Sequence, residues 1–126
     1  MSIHSALIAK NNGTHAEGDS CPMIDFVKLI SGKWAIPVIY RLILLEGPLR
    51  FSDLQRAIKP VTQKELTRQL RLFEQRGLVT RTVYPEVPAR VEYQITGLGL
   101  TLREILDPLA QWMMLNGEQL RASGRP

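Results

Sequence analysis

The sequence predicts a mainly helical domain with a small β-wing, its elements ordered helix, short turn, helix, hairpin. Three observations predict it, and all fall between residues 50 and 93. Two short helices, each with its own start and stop signals, stand about four residues apart. Two strands around a Pro-bearing turn follow directly. Nine basic residues meet five acidic ones across this stretch, which accounts for the whole +4 formal excess of the 126-residue chain. That order and that charge are those of a winged helix-turn-helix.

The second helix of the pair is TQKELTRQLRLFEQRG, residues 62–77. Thr62 caps it, and Glu65 three residues on closes a capping box. Val61 and Leu66 are spaced for a hydrophobic staple, and Gly77 supplies a left-handed stop. Leu66, Leu70 and Phe73 form one apolar stripe. Lys64, Thr67, Arg68, Arg71 and Gln75 share the opposite face. A helix anchored by one face and offering Lys, Arg, Gln and Thr on the other suits a major groove. Taken alone, the same pattern fits any amphipathic helix with a solvated face, so its neighbours carry the distinction.

Upstream, RFSDLQRAIKP places Ser52 as cap and Gln55 as its capping-box partner, with Pro60 as the stop. Downstream, LVTRTVY and ARVEYQI read as strands joined through Pro85, Glu86, Val87 and Pro88. Val91, Tyr93 and Ile95 alternate with Arg90, Glu92 and Gln94, the period of a half-buried strand.

Ahead of this unit, Pro22 fits a first helical position, making Cys21 the cap of a short helix that ends near Gly32. The next segment, KWAIPVIYRLILLEG, is apolar around most of its circumference and is the expected central buried helix. Pro37 is acceptable there only in the first turn. Gly47 and Pro48 end it, and residues 49–51 can add a short first strand. Trp34 and Tyr40 are assigned to core or interface.

After the wing, Thr96 is the expected cap of a last helix running from about Leu98 to Asn116, bent at Pro108, with Asp107 capping a restart. Leu98, Leu102, Ile105, Leu109, Trp112 and Met113 line one face. A core this small cannot bury that face together with Ile24 and Val27 of the first helix. A homodimer would, and operator symmetry gives such a dimer a use; packing of the two helices within one chain is the alternative. Residues 1–20 read as a flexible tail, 21–116 as the domain with its dimerisation helices, and 117–126 as a second tail.

Composition narrows the remaining classes. No apolar run approaches the roughly 18 residues of a membrane span, and the apolar stretch near the start is too short for a secretory segment. A single cysteine excludes an intrachain disulfide, so the expected location is the cytoplasm, at the nucleoid. His4 and His15 near Cys21 match no zinc spacing, and no metal is expected. There is no Gly-rich phosphate loop or nucleophile elbow, and no histidine outside the tail. An enzyme is therefore not expected, and neither is a cofactor.

Cys21-Pro22, Gly32-Lys33-Trp34 and Arg50-Phe51-Ser52-Asp53-Leu54 resemble the HxlR-type winged-helix transcriptional regulators. So does the wing, VYPEVPARVEYQIT followed by Gly97-Leu98-Gly99, with Pro88, Val91, Glu92 and Tyr93 where that pattern expects them. The similarity spans roughly residues 21–115; Pro37 is its one departure. It implies a bacterial or archaeal regulator, dimeric through its terminal helices. It also implies that the residue matching Cys21 is a thiol sensor in some members.

The expected partner is thus double-stranded DNA with a pseudo-palindromic operator. Gln63, Lys64, Thr67, Arg68 and Arg71 form the recognition surface, flanked by Ser52, Arg81 and, on the wing, Arg90. The dimer surface comprises Ile24, Val27, Leu102, Ile105, Leu109, Trp112 and Met113. The other function class is a winged-helix protein-interaction module with no direct DNA role, which need not keep Lys64, Arg68 and Arg71 on one face. Two readings of Cys21 stand. In one, free amides at a helix start favour a reactive thiolate, against which Asp19 and Asp25 push; in the other, Cys21 is a small buried hydrophobe with no chemistry. As a sensor it would answer an oxidant or a small electrophile, giving an intersubunit disulfide, a mixed disulfide or an adduct.

Overall fold

A computed structural model describes residues 21–123 of the chain. The expected N-terminal tail, with His4 and His15, lies outside the described residues. The elements are α1 (Pro22–Leu29), α2 (Ala35–Leu45), β1 (Leu49–Arg50), α3 (Phe51–Ala57), α4 (Gln63–Gln75), β2 (Val79–Tyr84), β3 (Arg90–Ile95), α5 (Gly97–Leu100) and α6 (Arg103–Ser123). The protein is mainly helical, with one antiparallel sheet of order β1-β3-β2.

The chain divides at Gly32 into two units. In the first, Cys21 is the extended N-cap of α1 and Pro22 occupies its first turn, where no amide is needed. Asp25 N–H donates to the Cys21 carbonyl at 3.0 Å. The helix stops at Leu29, three residues before the expected Gly32, because Ile30 leaves helical geometry (φ −117°, ψ 66°). Met23, Ile24, Val27 and Leu29 are exposed.

The second unit is built on α2. Pro37 is its third residue, within the first turn as the sequence requires. Ala35, Val38, Ile39, Leu42 and Ile43 are buried, but Leu44 and Leu45 are exposed. One face of α2 is buried, not most of its circumference. Leu54 of α3, Ile58 and Val61 after it, Leu66, Leu70 and Phe73 of α4, Leu78, Val79, Ile95 and Leu106 complete the core.

Helix α3 begins two residues earlier than its sequence signals suggest. Its N-cap is Arg50, whose amide donates to Asp53 Oδ2 at 3.2 Å, so Ser52 lies inside the first turn and caps nothing. The cause is tertiary: Leu49 and Arg50 pair with Tyr93 and Glu92, and the chain passes from strand to helix without a spacer.

The hairpin pairs Val79 with Ile95 through Tyr84 with Arg90. Its expected alternation is blurred. Only Ile95 of β3 is buried, while Arg90, Val91, Glu92 and Tyr93 are all half-buried. Arg90 causes this on the polar side. Its guanidinium lies 4.0 Å above the Tyr84 ring and donates to Glu92 Oε2 and Glu86 Oε2, both at 2.9 Å.

Thr96 caps only the four-residue α5, accepting the Gly99 amide at 3.0 Å. Gly99 is there because the backbones touch: a Cβ would stand 2.5 Å from both the Leu78 carbonyl oxygen and Ile95 Cδ1. Helix α6 then starts at Arg103, later than Leu98, and runs through Pro108. Asp107 does not cap a restart. Tyr40 O–H donates to its Oδ1 at 2.6 Å and Arg103 Nε to its Oδ2 at 3.1 Å, tying α6 to α2. The Tyr40 bond, then Arg103, holds the Asp107 carboxyl below its ordinary pKa, and the same bond raises that of the Tyr40 phenol. The helix continues to Ser123, so residues 117–123 are helical and not a tail. Gly117 does not stop it, being buried beside the Met113 and Arg121 side chains.

Candidate nucleic-acid interface

Helix α4 is held at both ends by local chemistry that its sequence dictates. Thr62 N–H donates to Glu65 Oε1 at 3.0 Å, and Glu65 N–H donates back to Thr62 Oγ1 at 3.1 Å. The Thr62 hydroxyl also donates to Glu65 Oε1 at 2.8 Å. The other carboxylate oxygen accepts Trp34 Nε1–H at 3.1 Å, a contact to the start of α2 that sequence spacing could not reveal. The Thr62 amide and hydroxyl, with smaller help from the indole and the Lys33 charge, lower the Glu65 pKa. At the far end Gly77 takes φ +75° and its amide donates to the Glu74 carbonyl at 3.1 Å. Leu78 N–H donates to the Phe73 carbonyl at 2.9 Å, which completes a Schellman stop and aims the chain into β2.

Between these ends the two faces separate as their residue types require. Leu66, Leu70 and Phe73 are buried, and so is Gln69. Gln63, Lys64, Arg68, Arg71 and Gln75 are exposed and Thr67 is half-buried. Gln63, Thr67, Arg71 and Gln75 follow one another at i+4, forming a row along the helix. Lys64, Arg68 and Leu72 form the next. Together they line an open trough of about 650 Å³. Among the described residues Lys64, Arg68 and Arg71 enter no ion pair.

The flanking candidates divide. Arg81 on β2 is exposed and, with Thr67 and Arg71, borders a second cleft of about 380 Å³ between α4 and the wing. Ser52 is exposed on α3, and Arg90 is held within the wing; neither lines either concavity. Gln75 of the outward α4 face shares the second cleft with Glu74 and Tyr93, neither of which the sequence points to as a DNA contact. The signal for Tyr93 was present in its alternation with Glu92, but the register that sets it opposite Arg81 is tertiary.

The proposed dimer surface is apolar and uncovered in the single chain. Ile105, Leu109, Trp112 and Met113 are each roughly half exposed, Leu102 less so, and Met114 and Leu115 more. Ile24 and Val27 are exposed on α1. Cys21 is exposed. Among the described residues no three His, Cys, Asp or Glu side chains gather as metal ligands, and no helix is long and apolar enough to cross a membrane.

Comparison with known proteins agrees with this architecture. Residues 29–121 match the family model described as HxlR-like helix-turn-helix. An HTH-type transcriptional regulator of Methanothermobacter thermautotrophicus is 44% identical over 104 residues, covering 82% of this chain and 78% of that one. YkvN, an HTH-type transcriptional regulator of Bacillus subtilis, is also 44% identical, covering 83% and 87%. Among solved structures, the redox regulator HypR in its reduced form superimposes with a TM-score of 0.73 at 36% identity, covering 81% of this chain and 99% of that one. The fold built on α4 and its wing is therefore also the one its relatives carry, and the chain belongs to the HxlR-like helix-turn-helix family of transcriptional regulators, which are not enzymes.

Proposed function

We propose that this regulator acts as a cytoplasmic, nucleoid-associated homodimer that binds a pseudo-palindromic operator in double-stranded DNA. The observation that carries the reading is the outer face of α4. Among the described residues Lys64, Arg68 and Arg71 enter no ion pair, and they extend from a helix whose other face is locked into the core. A guanidinium with free donors can take both acceptors of a guanine edge, and Gln63 and Thr67 stand beside it for adenine or thymine. Ser52 and Arg81 flank this surface. Arg90 is already engaged by Glu86 and Glu92, so its part is to keep the wing in shape.

The dimer follows from the uncovered apolar faces. Two copies burying Ile105, Leu109, Trp112 and Met113 of α6, and Ile24 and Val27 of α1, would remove apolar surface that a monomer leaves in water. A two-fold pair of recognition helices reads half-sites about 34–36 Å apart, one turn of DNA. An electrophoretic shift assay with a randomised DNA pool tests the central reading. Selection of a two-fold symmetric site by the parent, and its loss in Arg68→Ala/Arg71→Ala, is the expected result. Equal retention by both proteins rules out docking through α4.

Control by thiol chemistry is the finer part of the proposal. HypR is a redox regulator, and Cys21 of this chain is exposed at the start of α1, the helix that the proposal assigns to the dimer interface. Oxidation or alkylation of its sulfur would add bulk where the subunits meet, and so alter the spacing of the two recognition helices. Diamide or a quinone is expected to release the parent from its operator while Cys21→Ser stays bound. Equal release of both, or an unmodified Cys21 mass in the released protein, contradicts the sensor role.

A further inference from the structure

The cleft between α4 and the wing holds a feature that core packing does not explain. On β2, Arg81 lies two residues from Val79, and on β3 Tyr93 lies two residues from Ile95; the pairs Val79–Ile95 and Arg81–Tyr93 are cross-strand partners. Successive side chains of a strand alternate faces, so all four share one face of the hairpin. Val79 and Ile95 are buried on that face, and Tyr93 continues it half-buried. An apolar residue at position 81 would extend the core. The chain has an exposed arginine instead.

Across the cleft stands Arg71, with Thr67 one helical turn before it and Gln75 one turn after. Neither arginine forms an ion pair or a side-chain hydrogen bond among the described residues, and Glu74, the one acidic residue lining the cleft, pairs with neither. Two guanidinium groups against one carboxylate leave a surplus of one positive charge, with hydroxyl donors on Thr67 and Tyr93 and an amide on Gln75. Like charges placed together are unfavourable until an anion joins them. A phosphodiester carries one negative charge and only acceptor oxygens, which matches both the surplus and the donors. Arg90 offers no such seat, since Glu86 and Glu92 already bring two carboxylates to its single positive charge.

We propose that this cleft seats one backbone phosphate of DNA between Arg81 and Arg71, with the Tyr93 hydroxyl as a third donor, and that Arg81, not Arg90, is the wing's phosphate contact. The proposal rests on the DNA-binding reading above. It divides the labour on α4: Arg71 positions the helix through the backbone, which leaves Arg68 to read base edges.

Two measurements test it on the full-length protein. In the first, inorganic phosphate is titrated without DNA at constant ionic strength, and the arginine side-chain Nε–H resonances are followed by NMR. Saturable shifts at Arg71 and Arg81, with Arg90 unmoved, are expected; no shift at either arginine, or equal drift at all arginines, overturns the cleft. In the second, the salt dependence of DNA binding is compared for the parent, Arg81→Gln, Tyr93→Phe and Arg90→Gln. Arg81→Gln should weaken operator and random DNA alike and reduce the slope of log K against log salt by about 1.8, one phosphate's share for each subunit of the proposed dimer. Tyr93→Phe should weaken both DNAs alike with the slope kept. Arg90→Gln should leave the slope unchanged. An unaltered slope in Arg81→Gln overturns the DNA role of the cleft even if phosphate shifts are seen. A parent that binds no DNA is instead a failure of the functional reading, and the phosphate titration then decides the cleft alone.

Discussion

Glu65 shows how one side chain can serve both the local and the tertiary level. Its carboxylate closes the Thr62 cap and also receives the Trp34 indole, so it pins the start of α4 to the start of α2. Its folded-state pKa is lowered. The unfolded chain therefore takes up the proton first as pH falls, and the stabilisation is complete above the ordinary value of 4.5 and lost below it, through the folded pKa. Thermal melts between neutral pH and pH 3 should show this loss in the parent and a shallower pH dependence in Glu65→Gln. Thr62→Ala should cost about 0.5–2 kcal/mol by chemical denaturation, the usual range for a lost cap. On the outer face, Arg68→Ala should cost roughly 1–3 kcal/mol of operator binding and relax preference at one base pair. Fluorescence anisotropy against single-substitution operators reads both effects. Loss spread evenly over all sequences would move Arg68 to the phosphates.

At the level of elements, the clearest structural demand falls on Gly99. Its backbone lies against the Leu78 carbonyl, and a methyl group there meets backbone that cannot move aside cheaply. Gly99→Ala should therefore destabilise the fold by about 1–3 kcal/mol, as overpacking does, whereas Gly97→Ala has open space around it. Urea denaturation of the two variants makes the comparison. The elements also show what could be read from sequence and what could not. Helix α4 was legible from end to end, because its cap, apolar stripe and Schellman stop depend on residues within sixteen positions of one another. The start of α3 was not. A Ser-x-x-Gln pattern is satisfied by Ser52 and Gln55, but pairing of Arg50 with Glu92, 42 residues on, sets the boundary instead. The last helix failed for the same reason. Asp107 looked like a cap beside Pro108, yet Tyr40, distant in sequence, claims its carboxylate and keeps α6 continuous. Of the interface, the α4 row was readable from helical spacing, while the joining of Arg81 and Tyr93 to it required the hairpin register.

For the whole molecule, the unsatisfied surface is the informative part. Trp112 is 51% exposed and Ile105 53% in the single chain, with Met113 and Leu109 beside them at helical spacing. If a second copy buries this face, Trp112→Ala leaves a cavity costing roughly 3–5 kcal/mol, sufficient to dissociate a micromolar dimer. Sedimentation should show a dimer for the parent and monomer for the variant; a monomeric parent at micromolar concentration contradicts the assembly. The proposed homodimer would link assembly to DNA reading, because a two-fold pair of recognition helices doubles the contacts that one half-site offers. The most direct test of that linkage is binding-site selection from a randomised DNA pool by the parent and by Arg68→Ala/Arg71→Ala. The parent should enrich a two-fold symmetric sequence with half-sites about 34–36 Å apart, and the double variant should enrich none; enrichment of the same site by both proteins, or of no site by the parent, would contradict recognition through α4.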